Sequence, residues 1–146
     1  SESLILAKLA TVCWSTRRTA QAEELFQKAL DTQAAVVERF PELSSYQRVF
    51  LEFLRLRLAQ VTYERQAGAA KSDPVAIGAS HGLLEECIDN LTELTKRPEL
   101  AQDRLAWSSL PIAYDTLVSL LEGIGQREKA AEAKKHRRAL PIPPKS

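Results

Sequence analysis

Ala22-Glu23-Glu24-Leu25-Phe26-Gln27-Lys28-Ala29-Leu30, continued by Val36, Val37 and Phe40, repeats its apolar residues in steps of three and four. That spacing paints one face of a 3.6-residue helix and leaves no alternating strand face. Thr19 is the expected N-cap, Glu23 and Glu24 sit where the helix dipole favours anions, and Pro41 ends the helix. Upstream, Leu4 to Trp14 reads as a second helix, separated from the first only by Ser15-Thr16-Arg17-Arg18. A connection that short makes the two antiparallel neighbours.

Downstream the same period persists. Ser44 and Gln47 form a capping-box start for a helix running to about Gln66, and Val49 to Ala59 is apolar on more than one face. Such a helix is expected to be flanked on both sides. Asp73-Pro74 is a cap and first helical position, while Gly78 and Gly82 predict a broken or loose beginning before about Ser80. Leu84, Cys87, Ile88, Leu91 and Leu94 restore the period until Pro98. Asp103 caps a helix through Trp107, Leu110, Tyr114, Leu117, Val118 and Leu121 that contains Pro111, so a bend is expected there. Gly123 and Gly125 close it, and Gln126 to Arg138 is a last, Ala-rich helix. The expected architecture is all-α: about six antiparallel helices as three stacked hairpins, about 4–40, 44–95 and 103–138. They form one domain over 1–140, with a Pro-rich extended tail at 141–146.

Composition agrees with one globular domain. The 146 residues are 45% hydrophobic and 27% charged, which places the chain among folded soluble proteins rather than disordered or fibrous ones. Twenty Lys and Arg against nineteen Asp and Glu leave a charge of +1, so no global field gathers nucleic acid, and that partner is not expected. Lys8 interrupts the apolar run from Leu4 to Val12, so neither a membrane span nor an intact signal peptide is read. Cys13 and Cys87 share no short spacing, which fits a reducing, cytoplasmic compartment. The chain begins at Ser1 and contains no Met, as expected of a piece of something longer.

The helix pairs also echo one another. Glu24-Leu25-Phe26 with Ala29-Leu30 is matched by Glu86-Cys87-Ile88 with Leu91-Thr92, and each segment is followed by Pro-Glu-Leu, at 41–43 and 98–100. Leu9-Ala10, then Ala22, Phe26 and Ala29, resemble the signature of the tetratricopeptide repeat. Leu58-Ala59 supplies the small-residue pair of a second unit, separated from its second helix by about 13 extra residues around Gly68 to Gly78. Leu117, Gly125 and Ala130 match a third unit, in which Lys134 departs from the usual aromatic. Ala22 to Leu30 with Phe40-Pro41-Glu42-Leu43 and Tyr46 is similar, more narrowly, to the long-period repeats carried beyond the catalytic domain of bacterial serine/threonine protein kinases. The resemblance covers residues 4–66 well and the rest weakly. It implies a right-handed α-solenoid and a kinase-bearing parent chain, not kinase chemistry in this segment, where no phosphate loop or metal-binding Asp-Phe-Gly occurs.

In repeats of this kind the first helices line a face that holds a peptide or a neighbouring subunit. The resemblance implies a lining of Phe53, Leu56, Gln60, Tyr63 and Glu64 from the second unit and of Ile112, Asp115, Ser119 and Glu122 from the third, an apolar floor with acidic edges. No catalytic, cofactor or metal site is expected. His81 precedes Glu85 and Asp89 at helical spacing, but a metal site needs several converging ligands. Cys13 and Cys87 lie on apolar faces as small hydrophobes, and Trp14 and Trp107 read as core anchors. Residues 127–138 hold six Lys and Arg against Glu128 and Glu132, a solvated capping face.

The expected function is therefore that of a non-catalytic module binding a protein or peptide. Two alternatives stand beside it. One is self-association through the twice-apolar helix at 46–63 or the Ala-rich end helix; the other is an enzyme using His81.

Overall fold

The computed structural model describes residues 1–42 and 44–143. Leu43, in the first Pro-Glu-Leu, and Pro144 to Ser146, in the tail, lie outside the described residues. Among the described residues six helices follow in order: α1 (Glu2–Ser15), α2 (Thr19–Arg39), α3 (Ser45–Ala67), α4 (Pro74–Leu94), α5 (Arg104–Gly123) and α6 (Arg127–Arg138), with a 3-10 turn at Pro98–Leu100. Among the described residues there is no strand. Each helix packs on the next in the chain, and α3 also packs on α5. The molecule is an all-α array of consecutive helix pairs.

Helix α3 organises the core because its two apolar faces are used by different neighbours. Leu51, Leu54, Leu58 and Val61 join Ala7, Ala10, Cys13, Ala22, Phe26, Ala29 and Leu30 in one buried cluster. Val49, Leu56 and Ala59 join residues of α4, α5 and α6 in another. Each fully buried Leu or Phe contributes about 2 kcal/mol by leaving water. The surfaces expected to self-associate are thus already covered within one chain: both apolar faces of α3 are occupied, and Ala130 and Ala133 are buried beneath α6.

Several helix ends differ from expectation for identifiable reasons. The chain leaves α1 through Arg17, which adopts a left-handed φ of 64°, and the Arg18 N–H donates to the Cys13 carbonyl at 2.7 Å. That turn makes Arg18 the N-cap of α2 and Thr19 its first helical residue, with no side-chain cap bond. The α5–α6 turn has the same form, with Gly125 at φ 79° and the Gln126 N–H donating to the Leu121 carbonyl at 2.9 Å. Ser44 stands at the N-cap of α3 but makes no side-chain cap bond. The Gln47 side chain that would complete the box accepts instead from Gln33 Nε2 at 2.9 Å. Asp103 caps α5 as expected, accepting from the Ala106 N–H at 2.9 Å.

Helix α4 runs unbroken from Pro74 through Gly78 and Gly82, contrary to the loose start expected before Ser80. Asp73 Oδ1 accepts from the Val75 N–H at 3.0 Å, and Ile77 and Leu84 pack into the core, which together outweigh two glycines at about 1 kcal/mol each. Pro111 lies inside α5 without ending it.

Candidate partner-binding groove

The first helices of the three pairs, α1, α3 and α5, converge on a shallow depression of about 400 Å³ lined by Trp14, Gln60, Tyr63, Glu64, Ile112, Asp115, Thr116 and Ser119. Trp14 comes from the last turn of α1. Its ring meets Phe26 edge-on at 6.0 Å, and its indole N–H donates to Glu64 Oε2. Arg57 lies over the Trp14 ring at 5.9 Å and over Phe53 at 4.9 Å, and its Nη1 donates to Gln60 Oε1 at 2.7 Å. Gln60 Nε2 reaches Thr116 Oγ1 at 3.3 Å, and the Tyr63 hydroxyl donates to the Ser119 carbonyl at 3.1 Å. The polar side chains therefore hold one another in place across two helix seams, so little rotamer freedom is left to lose on binding.

Of the residues expected to line this face, Gln60, Tyr63, Glu64, Ile112, Asp115 and Ser119 share the depression. Leu56 does not: it is 1% exposed and belongs to the core cluster with α4 and α5. The helical register is one residue off there, and Arg57 occupies the surface position. Phe53 is half-buried against the first core cluster, beneath Arg57. Glu122 turns toward α6, where its carboxylate lies 3.6 Å from Lys134 Nζ. The expected apolar floor is instead aromatic and polar, with Glu64 and Asp115 at its edge; Asp115 is also 3.2 Å from Arg137 Nε. Trp14 packs on the core through Phe26, as read, and also lines the depression; Thr116 was not among the expected residues.

Two other depressions also draw on three helices each. One of about 560 Å³, between α2 and α4 with α3 beneath, is lined by Leu58, Thr62 and Ser80 and by the Glu23–Arg65 ion pair at 3.0 Å. His81 lies 3.0 Å from Glu85 and His136 lies 3.3 Å from Glu132, and both histidines line one cavity of about 290 Å³ with Asp89 and Tyr114. Among the described residues no group of three His, Cys, Asp or Glu could hold a metal ion. Among the same residues no helix is long and apolar enough to cross a membrane. Trp107 donates to the Leu100 carbonyl at 2.9 Å, and the tail at Pro141 to Pro143 lies beside it.

Both cysteines are free and buried. The Cys87 thiol donates to the Glu52 carbonyl at 3.4 Å, and burial pushes its pKa up, so it stays protonated and unreactive. Compared with protein-family models, curated proteins and solved structures, the chain matches none of them.

Proposed function

We propose that the chain is a non-catalytic protein-interaction module, a helical-repeat region of a larger bacterial protein. Its partner is an extended protein segment laid across α1, α3 and α5. The observation that carries this reading is the meeting of Trp14, Gln60 with Tyr63, and Thr116 with Ser119, from three different helices, in one depression. A rigid aromatic floor with a few oriented polar groups is the surface on which binding energy concentrates. Arg57 over the Trp14 ring and Arg137 beside Asp115 match the charges of Glu64 and Asp115, so the reading rests on the aromatic and amide surface rather than on net charge.

The likeness of Ala22 to Leu30, Phe40 to Leu43 and Tyr46 to repeats beyond the catalytic domain of bacterial serine/threonine kinases supports placing the module in such a chain. Two free, buried thiols fit a reducing cytoplasm. The test is to select peptides from a displayed random library on the wild-type chain and measure their affinity by calorimetry. Gln60→Ala and Tyr63→Ala should each weaken the selected peptides about tenfold, a loss typical of truncating an interface anchor. Unchanged affinity in both variants would discard this groove.

A further inference from the structure

Among the described residues three buried side-chain oxygens have no hydrogen-bond partner: Glu23 Oε2, Glu52 Oε1 and Ser80 Oγ. Glu23 and Ser80 both line the depression between α2 and α4. A hydroxyl inside a helix often donates to the carbonyl four residues back, and Thr11, Thr92 and Thr116 each do so here, to Ala7, Ile88 and Ile112. Ser80 does not, although it is 0% exposed. On the facing helix Glu23 accepts from Arg65 through Oε1 alone, at 3.0 Å, which leaves Oε2 unused. A polar atom that gives up water on folding and gains no partner costs stability, so two such atoms at one depression mark a place that a bound molecule completes. The gap follows from residue size: α4 presents Ala76, Ala79 and Ser80 there and α2 presents Ala20, while Leu58 and Leu83 supply the apolar lining. Charges cancel, because Glu23 pairs with Arg65 and the neighbouring Glu24 and Lys28 are equal and opposite.

We propose that this depression is a binding site for a small neutral molecule carrying a secondary amide, whose N–H donates to Glu23 Oε2, whose carbonyl accepts from the Ser80 hydroxyl, and whose carbon skeleton lies against Leu58 and Leu83. A carboxylate only accepts, so the group that satisfies Glu23 must be a donor. Glu23 Oε2 and Ser80 Oγ stand on different helices and do not bond to each other. That separation suits a group whose donor and acceptor are different atoms, whereas a water or a lone alcohol would have to reach both with one oxygen. The balanced charge gives an ammonium or carboxylate ligand no net attraction and leaves it the cost of losing its hydration. No lining residue is shared with the groove of α1, α3 and α5, so the site is separate from the one assigned to the partner segment.

Titrating 2-pyrrolidinone, a neutral cyclic secondary amide, into the 15N-labelled whole chain tests the proposal. The backbone amide signals of Glu23, Thr62 and Ser80 should shift together with a Kd of about 10 mM or tighter, in keeping with so few ligand atoms. N-methyl-2-pyrrolidinone, which lacks the N–H, and pyrrolidinium, a cation of the same ring, should each bind at least about threefold more weakly. Ser80→Ala should weaken 2-pyrrolidinone about three- to tenfold, the loss expected of one neutral hydrogen bond, without lowering the melting temperature, because it removes a hydroxyl that has no partner in the fold. Ala79→Phe, at an exposed position on the rim, should abolish binding while circular dichroism shows an intact fold. The absence of these shifts at about 100 mM probe would overturn the site and leave both oxygens to water. Equal binding of the N-methyl compound, or undiminished binding by Ser80→Ala or Ala79→Phe, would overturn the amide geometry.

Discussion

Tyr63 and Gly123 occupy the same space at the α3–α5 seam. A β-carbon built on Gly123 would collide with the Tyr63 hydroxyl oxygen, while the ring Cζ stands at an ordinary 3.5 Å. The absence of a side chain at 123 is what lets the Tyr63 hydroxyl reach the Ser119 carbonyl. Gly123→Ala alone should gain some helix propensity but displace that hydroxyl, for a net change within about 1 kcal/mol. In a Tyr63→Phe background the collision is gone, so the same substitution should stabilise by about 0.5 to 1 kcal/mol. A double-mutant cycle by urea denaturation reads the difference; additive effects would mean the two residues do not share that space.

Glu52 makes stability depend on pH. The residue is 3% exposed, and burial pushes its carboxyl up to about 7 against the opposing pull of Arg55 and the Asn90 amide, with Glu86 adding to the rise. Its Oε1 has no hydrogen-bond partner. Because the folded state holds this proton more tightly than the unfolded chain, stability is full below about pH 4.5 and declines as pH rises to about 7. The loss from this one group is about 3 kcal/mol at most. Chemical denaturation of wild type at pH 5 and pH 8 should show it, and Glu52→Gln should flatten the difference. A variant with an undiminished slope would assign the effect elsewhere.

Gly78 and Gly82 are spare. Nothing lies within 4 Å of a β-carbon placed at either, and both are interior to α4. Gly78→Ala and Gly82→Ala should therefore each stabilise by about 0.5 to 1 kcal/mol and raise the melting temperature by a few degrees. A lowered melting temperature in either would contradict the open space around these positions.

Gln33 ties three helices together. Ser3 Oγ donates to its Oε1 at 2.8 Å, and its Nε2 donates to the Gln47 carbonyl at 3.0 Å and to Gln47 Oε1. Ser3 and Gln33 are both buried. Gln33→Leu should cost about 1 to 2 kcal/mol, because the Ser3 hydroxyl is left with only the longer 3.3 Å contact to Ser1 Oγ and Gln47 loses its donor. Adding Ser3→Ala should recover part of that loss, measured by thermal or urea unfolding. A double variant no more stable than Gln33→Leu would show that the hydroxyl had found another partner.

The helices themselves were legible because their apolar spacing is regular and their punctuation is strong: Asp73-Pro74 and Asp103 cap where expected. The two-faced pattern of Val49 to Ala59 also announced a helix with neighbours on both sides. What was not legible depends on contacts between distant residues. Leu56 and Arg57 differ by 100° around α3, and a lining assigned by resemblance cannot resolve one position. Trp14 looks like any core aromatic until α1 is set against α3. Gln33 looks like a surface polar residue until Ser3 and Gln47 close around it. The expectation that glycines would loosen α4 weighed local propensity alone and omitted the buried face that holds the helix.

The most direct test of the interaction-module account is the pair of indole N–H resonances. Trp14 Nε1–H bonds to Glu64 inside the groove, and Trp107 Nε1–H bonds to the Leu100 carbonyl at the other end of α5. Titrating a library-selected peptide into 15N-labelled protein should shift the Trp14 signal and leave the Trp107 signal in place. If only Trp107 moves, or neither moves at saturating peptide, the partner does not bind where α1, α3 and α5 meet.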